Sequence, residues 1–345
     1  MPSRYLVTGG LGVIGSRFVE SVCNAGHTAT VVDAAEEPRN LWMEDFLNGR
    51  YPGRVTVLKQ RVEKTDFGPL LASHDFLLHA AAHTGIPHSE EDPGDDWVSN
   101  VDASRHILEA MRTAGSTVPT VMLSSVKPYR VHDVPTKPAE DRTVWARSNF
   151  VGVDESFVLE PDEPYAASKM AQSALAISYA RTYGLPVTVL RCSNLYGDAP
   201  CHGRRHGWLT WFCISAAMGW EIELQGTGLQ TRDMLFSDDV ATAAMAAFER
   251  IRLVQGNVYN IGGGPDNAIS CRQSVGLLED VSGSPVVWRP GPGRHNEDML
   301  FITDFRKFSS VTGWVPAVSV REGVGRIYQW ACAHREEMER LYGGT

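Results

Sequence analysis

The sequence contains no uninterrupted apolar run of about 18 residues, the length that a membrane-spanning helix needs. Its first four residues lead directly into a strand pattern, so we expect no signal peptide. The cysteines form no CxxC pair and show no regular spacing, which argues against a zinc site or a disulfide framework. These absences predict a cytoplasmic protein with reduced thiols and no contact with a membrane. The six cysteines are Cys23, Cys192, Cys201, Cys213, Cys271 and Cys332.

Basic residues are too few and too scattered to form a tract that binds nucleic acid. The 345 residues include 32 Lys and Arg against 41 Asp and Glu, a formal net charge of −9. Such a surface repels nucleic acid and anionic lipid, although a few local arginines suffice to bind one small anion. With 43% apolar residues and a length of about two ordinary domains, the chain is expected to form one enlarged α/β domain with a smaller lobe.

A glycine-rich turn lies between the first predicted strand, Tyr5-Leu6-Val7, and a helical pattern that begins at Val13. Glycines in this turn remove the side chains that would keep backbone amides away from a pyrophosphate, and the helix N-terminus adds its partial positive charge. Strand, turn and helix together predict a dinucleotide site rather than a tight turn without a ligand. The residues that we assign to it are Gly9, Gly12, Val13, Ile14 and Gly15.

The second predicted strand, Thr28 to Val32, is followed by Asp33. A carboxylate at that point can accept hydrogen bonds from both hydroxyls of an adenosine ribose and would repel a 2′-phosphate. We therefore predict that the cofactor is NAD rather than NADP.

The remaining pattern alternates strands and helices, which predicts a doubly wound parallel sheet. Small residues, Ala80 and Ala81, follow the strand Phe76 to His79 and would let the cofactor approach the sheet edge.

His79 and His83 have the spacing of a metal pair, but no third ligand is evident, and we predict no metal. Other expected elements are a short helix at 40–48, a strand at 54–58, a helix at 101–114, a strand at 120–125, a long irregular stretch from 126 to about 164, and a helix ending near 183.

Three residues predict redox chemistry at a secondary alcohol. Tyr165 and Lys169 are four residues apart, so they lie on one face of the predicted helix. An ammonium beside a phenol, with a bound nicotinamide cation, lowers the phenol pKa and makes it a base that can deprotonate an alcohol. Ser125, at the end of a strand, would hold the substrate hydroxyl. Both Tyr165 and Lys169 would also contact the cofactor, and we expect Ser124 to face the same crevice as Ser125.

These motifs resemble those of the extended short-chain dehydrogenase/reductases of the nucleotide-sugar epimerase/dehydratase type, from about residue 4 to about residue 330. The segment 191–197 is similar to the family's Arg-x-x-Asn-x-Tyr-Gly, and Arg232-Asp233 is similar to its Arg-Asp segment. The resemblance implies that Asn194, Arg232 and Arg294 bind the substrate, a nucleotide-diphosphate sugar. Arg191 is a further candidate for the diphosphate, because arginine binds phosphate through paired hydrogen bonds.

The resemblance also implies a division of the chain. We expect residues 1–193 and 229–263 to form the NAD-binding Rossmann domain, and residues 194–228 and 264–345 to form a smaller C-terminal α/β substrate-binding lobe. The basic segment 201–206 is either a solvated loop or a lid. Relatives of this kind commonly form homodimers through two long helices, here near 97–114 and 165–183.

Val126-Lys127 stands where sugar 4,6-dehydratases of the family carry Asp-Glu. The local pattern is closer to that of the CDP-paratose/CDP-tyvelose 2-epimerases, which resemble this chain in a lysine at the position of Lys127. The resemblance therefore implies an epimerase that oxidises its sugar transiently and returns the hydride to the opposite face, with Ser124 and Lys127 beside the substrate. Other NAD-dependent reactions of nucleotide sugars (4-epimerisation, dehydration, net oxidation or reduction) and a non-catalytic NAD-binding sensor or scaffold stay open.

Overall fold

The fold was analysed in a computed structural model, which describes residues 2–84, 86–146, 150–200, 207–293 and 297–343. The strands are β1 Arg4–Thr8, β2 Thr28–Asp33, β3 Val55–Lys59, β4 Phe76–His79, β5 Thr120–Ser125, β6 Thr136–Ala139, β7 Arg142–Trp145, β8 Val187–Cys192, β9 Asn194–Tyr196, β10 Ile222–Gln225, β11 Thr231–Phe236, β12 Val258–Ile261, β13 Ala268–Ser270, β14 Trp288–Gly291 and β15 Leu300–Phe301.

The helices are α1 Val13–Asn24, α2 Pro38–Arg50, α3 Phe67–Ser73, α4 Ile86–Glu91, α5 Pro93–Asp96, α6 Ala103–Ala114, α7 Pro164–Tyr183, α8 Trp208–Met218, α9 Ser237–Glu249, α10 Ile251–Val254, α11 Cys271–Ser282, α12 Arg306–Thr312, α13 Val320–Ala333 and α14 Arg335–Tyr342. A π-helical segment, Trp97–Asp102, joins α5 to α6. Short 3₁₀ turns occur at Val62–Lys64 and Pro265–Asn267. No helix within the described ranges is long and apolar enough to cross a membrane.

Seven parallel strands form the main sheet in the order β3-β2-β1-β4-β5-β8-β12. The strand order reverses between β1 and β4, and in open α/β sheets such a point lies beside the ligand crevice. Each strand is rich in Val, Leu and Ile because helices cover both faces of a parallel sheet. The predicted fold class, a doubly wound α/β sheet, is confirmed.

The three largest apolar cores among the described residues contain most of the buried side chains. Two of them lie on the main sheet, one including Phe18 and Phe248 and the other including Phe67 and Leu108. The third joins α8, α11, α13 and α14 around residues such as Phe212, Ile327 and Met338. This third core contains residues from both 196–224 and 269–342, so the two segments of the C-terminal half pack as one body.

Two features differ from the sequence expectations. The stretch 126–164 was expected to be irregular, but it contains an antiparallel hairpin, β6–β7, in which Thr136 pairs with Trp145. Strand β11, in the range 229–263 that we assigned to the NAD-binding domain, lies outside the main sheet and pairs with β9, β13 and β15. The helix after it, α9, does pack on α1 of the main sheet. The division of the chain into two units therefore stays a proposal.

Candidate active site

A cleft of about 1330 Å³ runs along the C-terminal edge of the main sheet. The glycine turn after β1 and the loop after β4 line one end, and α8, β10 and β11 line the other. Ser125 and Tyr165 lie on its wall together with Asn194. The cleft therefore joins the predicted cofactor end, the predicted catalytic residues and the C-terminal lobe.

The glycine turn is packed so tightly that two of its glycines cannot carry a side chain. Gly9 has φ +68°, and a Cβ atom on it would lie 2.5 Å from the backbone N of Ala81. A Cβ on Gly15 would lie 2.1 Å from the carbonyl oxygen of Gly9. Gly12, Val13 and Ile14 line the same end of the cleft. No side chain caps the N-terminus of α1, so its first amides stay available to an anion.

Asp33 connects the end of β2 to the glycine turn. Its Oδ2 accepts a hydrogen bond of 3.0 Å from the Leu11 amide, and its Oδ1 accepts one of 3.0 Å from the Ala35 amide. Burial raises the pKa of the Asp33 carboxyl, and the two amide hydrogen bonds oppose that shift. Asp33, Ala80 and Ala81 all line the cofactor end of the cleft. The contacts that we predict between these residues and NAD stay predictions, but the cradle has the shape and the donors that a dinucleotide requires.

Ser125 and Tyr165 meet at the middle of the cleft. Ser125 Oγ accepts a 3.1 Å hydrogen bond from the Lys127 amide, which orients the hydroxyl. Burial raises the pKa of the Tyr165 phenol, and a hydrogen bond with Ser125 opposes that shift. The phenol therefore keeps its proton until additional positive charge arrives beside it.

Lys169 lies one turn further along α7, beneath the cleft. Its side chain is 3% exposed, and its Nζ donates a 3.1 Å hydrogen bond to the carbonyl oxygen of Leu123. Burial lowers the pKa of the Lys169 ammonium to about 8. Cys192, which pairs with Ser125 across β5 and β8, contributes a thiol to the same region, and burial raises its pKa to about 12. The thiol is therefore neutral and unreactive at physiological pH.

His79 and Asn100 link the cofactor end of the sheet to α6 and α7. His79 bonds the Thr8 hydroxyl at 2.7 Å and the Ser104 hydroxyl at 2.9 Å, and burial lowers its pKa to about 3. The Asn100 side chain accepts from the amide of His83 and donates to the hydroxyl of Ser168. His79 is thus a neutral structural histidine. Within the described residues, no three His, Cys, Asp or Glu side chains are grouped as a metal ion would require.

Two sequence expectations fail on geometry. Ser124 does not line the cleft; its hydroxyl donates to the carbonyl oxygen of Lys169 at 3.1 Å and accepts from Ser173 at 2.9 Å. Successive residues of a strand point to opposite faces, so Ser124 and Ser125 cannot both face one crevice. Arg191 is also buried away from the cleft, where its Nη1 donates to the Tyr129 hydroxyl at 2.8 Å.

The Tyr129 hydroxyl links two buried groups, since it accepts from Arg191 and donates to Asn260 Oδ1 at 2.9 Å. We expect Tyr129→Phe to lower the free energy of unfolding by about 1–3 kcal/mol, because Arg191 Nη1 and Asn260 Oδ1 would each lose a buried hydrogen bond. Urea denaturation measures this loss, and Tyr183→Phe, at a position 52% exposed, is the matched control. If Tyr129→Phe lowered the affinity for nucleotides and left the free energy of unfolding unchanged, Arg191 would have to be assigned to the substrate site instead.

Three of the remaining predicted substrate residues line the same cleft. Lys127, Asn194 and Arg232 all line the cleft, and Asn194 and Arg232 come from the neighbouring strands β9 and β11. Arg232 Nη1 donates to its neighbouring carbonyl oxygen, and its Nη2 lies 3.9 Å from Glu297. Arg294 and the segment 201–206 fall outside the described residues.

Sequence reasoning missed several cleft residues. Glu163 could have been found, because it directly precedes Pro164-Tyr165 in the sequence. No sequence pattern around Asp298 marks it as a residue of the cleft. At the far end of the cleft, the aromatic side chains of Trp208, Trp211 and Trp220 lie with Arg289, which forms ion pairs with Glu221 and Glu223.

Comparison with known proteins identifies the family. The profile of the NAD dependent epimerase/dehydratase family matches residues 5–262, three quarters of the chain. The chain belongs to this family. The predictions of an enzyme and of NAD as its cofactor are thereby confirmed. The glycine cradle and Asp33 are the parts of this family member that fit the cofactor.

Relatives cover almost the whole chain and differ in their reactions. CDP-paratose 2-epimerase of Salmonella typhi is 28% identical over 340 residues, which are 95% of this chain and 98% of that protein. A dTDP-glucose 4,6-dehydratase of Streptomyces antibioticus is 30% identical over 346 residues, covering 97% and 94%. Among solved structures, UDP-glucose 4-epimerase of Thermotoga maritima with UDP-glucose is 26% identical, with a TM-score of 0.80 over 97% of this chain and all of that one.

Proposed function

We propose that this enzyme is an epimerase of a nucleotide-diphosphate sugar, similar to CDP-tyvelose 2-epimerase, that works by transient oxidation to a ketone. The observation that carries the proposal is the position of Ser125 and Tyr165 in one cleft between the glycine cradle and Arg232. A sugar held there would have its reacting hydroxyl beside Tyr165 and its diphosphate toward Asn194 and Arg232. The tryptophans 208, 211 and 220 supply aromatic surface for the nucleotide base at the far end.

In the proposed mechanism, Tyr165 accepts the proton of the substrate hydroxyl while Ser125 holds that hydroxyl by a hydrogen bond. Lys169, one turn further along α7, would bring a cation toward the phenol and so favour its ionised form. Gly9, Gly15 and Asp33 would hold the cofactor against the sheet edge. When bound, NAD supplies the hydride acceptor and afterwards the hydride donor. Tyr165 then returns its proton to the oxygen once the transient ketone has turned in the pocket. Because the hydride would return to the sugar as well, the reaction consumes no cofactor.

Two features favour epimerisation over dehydration. Dehydration needs an additional acid/base pair, and the strand-end position that carries Asp-Glu in the 4,6-dehydratases is Val126-Lys127 here. The Salmonella typhi relative, which covers nearly the whole chain, is named as a 2-epimerase. The presence of Ser125, Tyr165 and Lys169 together also argues against a non-catalytic sensor or scaffold.

The proposal is tested with CDP-, UDP- and dTDP-hexoses in deuterated water. We expect an epimeric product that carries no solvent deuterium, because the hydride returns within the pocket. A substrate deuterated at the oxidised carbon should keep its label. Deuterium on a product carbon would indicate dehydration with proton exchange, accumulated NADH would indicate a dehydrogenase, and NAD binding without turnover of any sugar would favour the sensor. Each of these outcomes contradicts the proposal.

We also propose a homodimer formed through the π-helical segment, α6 and α7. Trp97 and Tyr183, at opposite ends of this helical surface, are 51% and 52% exposed in the single chain. Light scattering of the purified protein tests the dimer, and a monomer at micromolar concentration would contradict it.

A further inference from the structure

A charged cluster from three distant parts of the chain lies on the cleft wall between the catalytic residues and Arg232. Lys127 Nζ is 3.9 Å from Glu163 Oε1 and 3.6 Å from Asp298 Oδ2. Both distances exceed that of a hydrogen bond, so the ammonium is attracted to the two carboxylates without being bonded to either. We name Glu163 and Asp298 the acidic pair.

The acidic pair has unused hydrogen-bonding capacity inside the protein. The side chains of Glu163 and Asp298 are only 12% and 10% exposed. Glu163 Oε1 and Asp298 Oδ1 are both buried, and neither has a hydrogen-bond partner among the described residues. His132 Nδ1 lies 3.3 Å from Asp298 Oδ1 but does not form a hydrogen bond with it. A buried acceptor without a donor is costly, so a ligand with donors would be favoured here.

The position of the cluster matches that of a sugar ring. Glu163 is the residue before the first turn of α7, two positions from Tyr165. The backbone amide of Lys127 donates to the Ser125 hydroxyl. Asp298 precedes β15, whose Phe301 pairs with Arg232 of β11. A sugar with its reacting hydroxyl at Ser125 and its diphosphate at Arg232 would therefore lie across the cluster.

The charge of this wall is negative on balance. Glu163, Asp298 and Asp162 face Lys127 and His132, and Asp162 lies 3.5 Å from His132. Burial raises the pKa of the Glu163 carboxyl to about 7, against the effect of Lys127, and Asp162, Glu90 and Asp298 raise it further. Such a wall can accept hydrogen bonds from hydroxyls, whereas a carboxylate placed against it would be repelled.

We propose that Glu163 and Asp298, with Lys127 between them, select an uncharged sugar ring: its hydroxyls donate to the two carboxylates and accept from Lys127, and a uronate is excluded. This proposal rests on the proposed function and deepens it, because it names the class of sugar at the same site. UDP-glucose and UDP-glucuronate differ only in the carboxylate at C6, so they are the matched probes.

The experiment measures the Kd of UDP, UDP-glucose and UDP-glucuronate by calorimetry with the NAD-loaded protein. In the parent, we expect the uronate to bind at least about tenfold more weakly than the hexose. In Glu163→Gln/Asp298→Asn, the ratio of the Kd for the uronate to the Kd for the hexose should fall to about threefold or less. The introduced amides still accept hydrogen bonds but carry no negative charge. The control, Asp133→Asn/Glu160→Gln, removes two carboxylates that are 74% and 59% exposed and that pair with Arg130. It should keep the parent ratio.

Two failures are distinguishable. If UDP binds and the parent accepts the uronate as well as the hexose, or if the amide double variant keeps full discrimination, the acidic pair does not select the sugar, and the proposed function is unaffected. If neither UDP, CDP and dTDP nor their hexoses bind, the proposed function fails, and this inference fails with it. Retained NAD verifies that each variant is folded, and the single variants Glu163→Gln and Asp298→Asn should each relax the ratio in part if the double variant does not fold.

Discussion

Tyr165→Phe should lower kcat by about 10²–10⁴-fold, because the variant loses the group that takes and returns the proton. The hydroxyl is the only part removed, and Ser125 keeps its hydrogen bond from the Lys127 amide. NAD binding should fall only slightly, because the variant loses no more than the predicted contact between the Tyr165 hydroxyl and the cofactor, whereas the glycine cradle and Asp33 lie at the other end of the cleft. Turnover of whichever nucleotide hexose the parent converts, measured beside the amount of NAD in the purified protein, separates the two effects.

The matched control for this variant is Tyr183→Phe, which removes a tyrosine hydroxyl from the same helix at a position that is 52% exposed. It should leave both turnover and NAD content at the parent level. If Tyr165→Phe turned over the sugar as fast as the parent does, another group would have to carry the proton, and the catalytic assignment would be abandoned.

Gly15→Ala should weaken NAD binding strongly. The added Cβ would lie 2.1 Å from the carbonyl oxygen of Gly9 and 2.7 Å from the Cα of Gly10, and both are backbone atoms that cannot rotate away. Overpacking of this kind costs about 1–3 kcal/mol, which corresponds to about a fivefold to 150-fold loss of affinity if the turn moves away from its binding geometry. Equilibrium dialysis or fluorescence titration with NAD measures the change.

Gly276→Ala is the control for that variant, because it introduces the same methyl group into the middle of α11 with nothing within 4 Å of the new Cβ. Replacing a helical glycine with alanine should raise the free energy of unfolding by about 0.5–1 kcal/mol and leave NAD binding unchanged. Equal NAD affinity in Gly15→Ala and the parent would show that the turn is not the pyrophosphate cradle.

Local patterns predicted much of the cofactor end. The strand-turn-helix signal around Gly9 and Gly15 and the acid after β2 depend on residues close in sequence, so the backbone geometry follows from them. Phe76–His79 and Thr120–Ser125 were likewise recognisable as buried strands. The hairpin β6–β7 was missed because its strands have only four residues each and carry polar side chains rather than a clear alternation.

The sequence predicted the positions of residues along the main sheet better than the directions in which their side chains point. Ser124 and Arg191 were placed correctly near the sheet edge, but both are hydrogen-bonded inside the protein. For Ser124, the alternation of side chains along a strand was enough to show that it could not share the direction of Ser125. The orientation of Arg191 depends on Tyr129 and Asn260, which are 62 and 69 residues away in the chain.

The sequence by itself determined the doubly wound fold and the cofactor, because each follows from periodicity or from residues within one strand, turn or helix. The tyrosine and lysine of one helix turn stay predictions of the same local kind. Only the tertiary structure brought Lys127, Glu163 and Asp298 onto one wall of the cleft. Their contacts depend on how the segment before β15 packs beside β11 and the start of α7, and no local preference of the chain encodes such long-range packing. The charges around the proposed position of the sugar are therefore a property of the folded molecule.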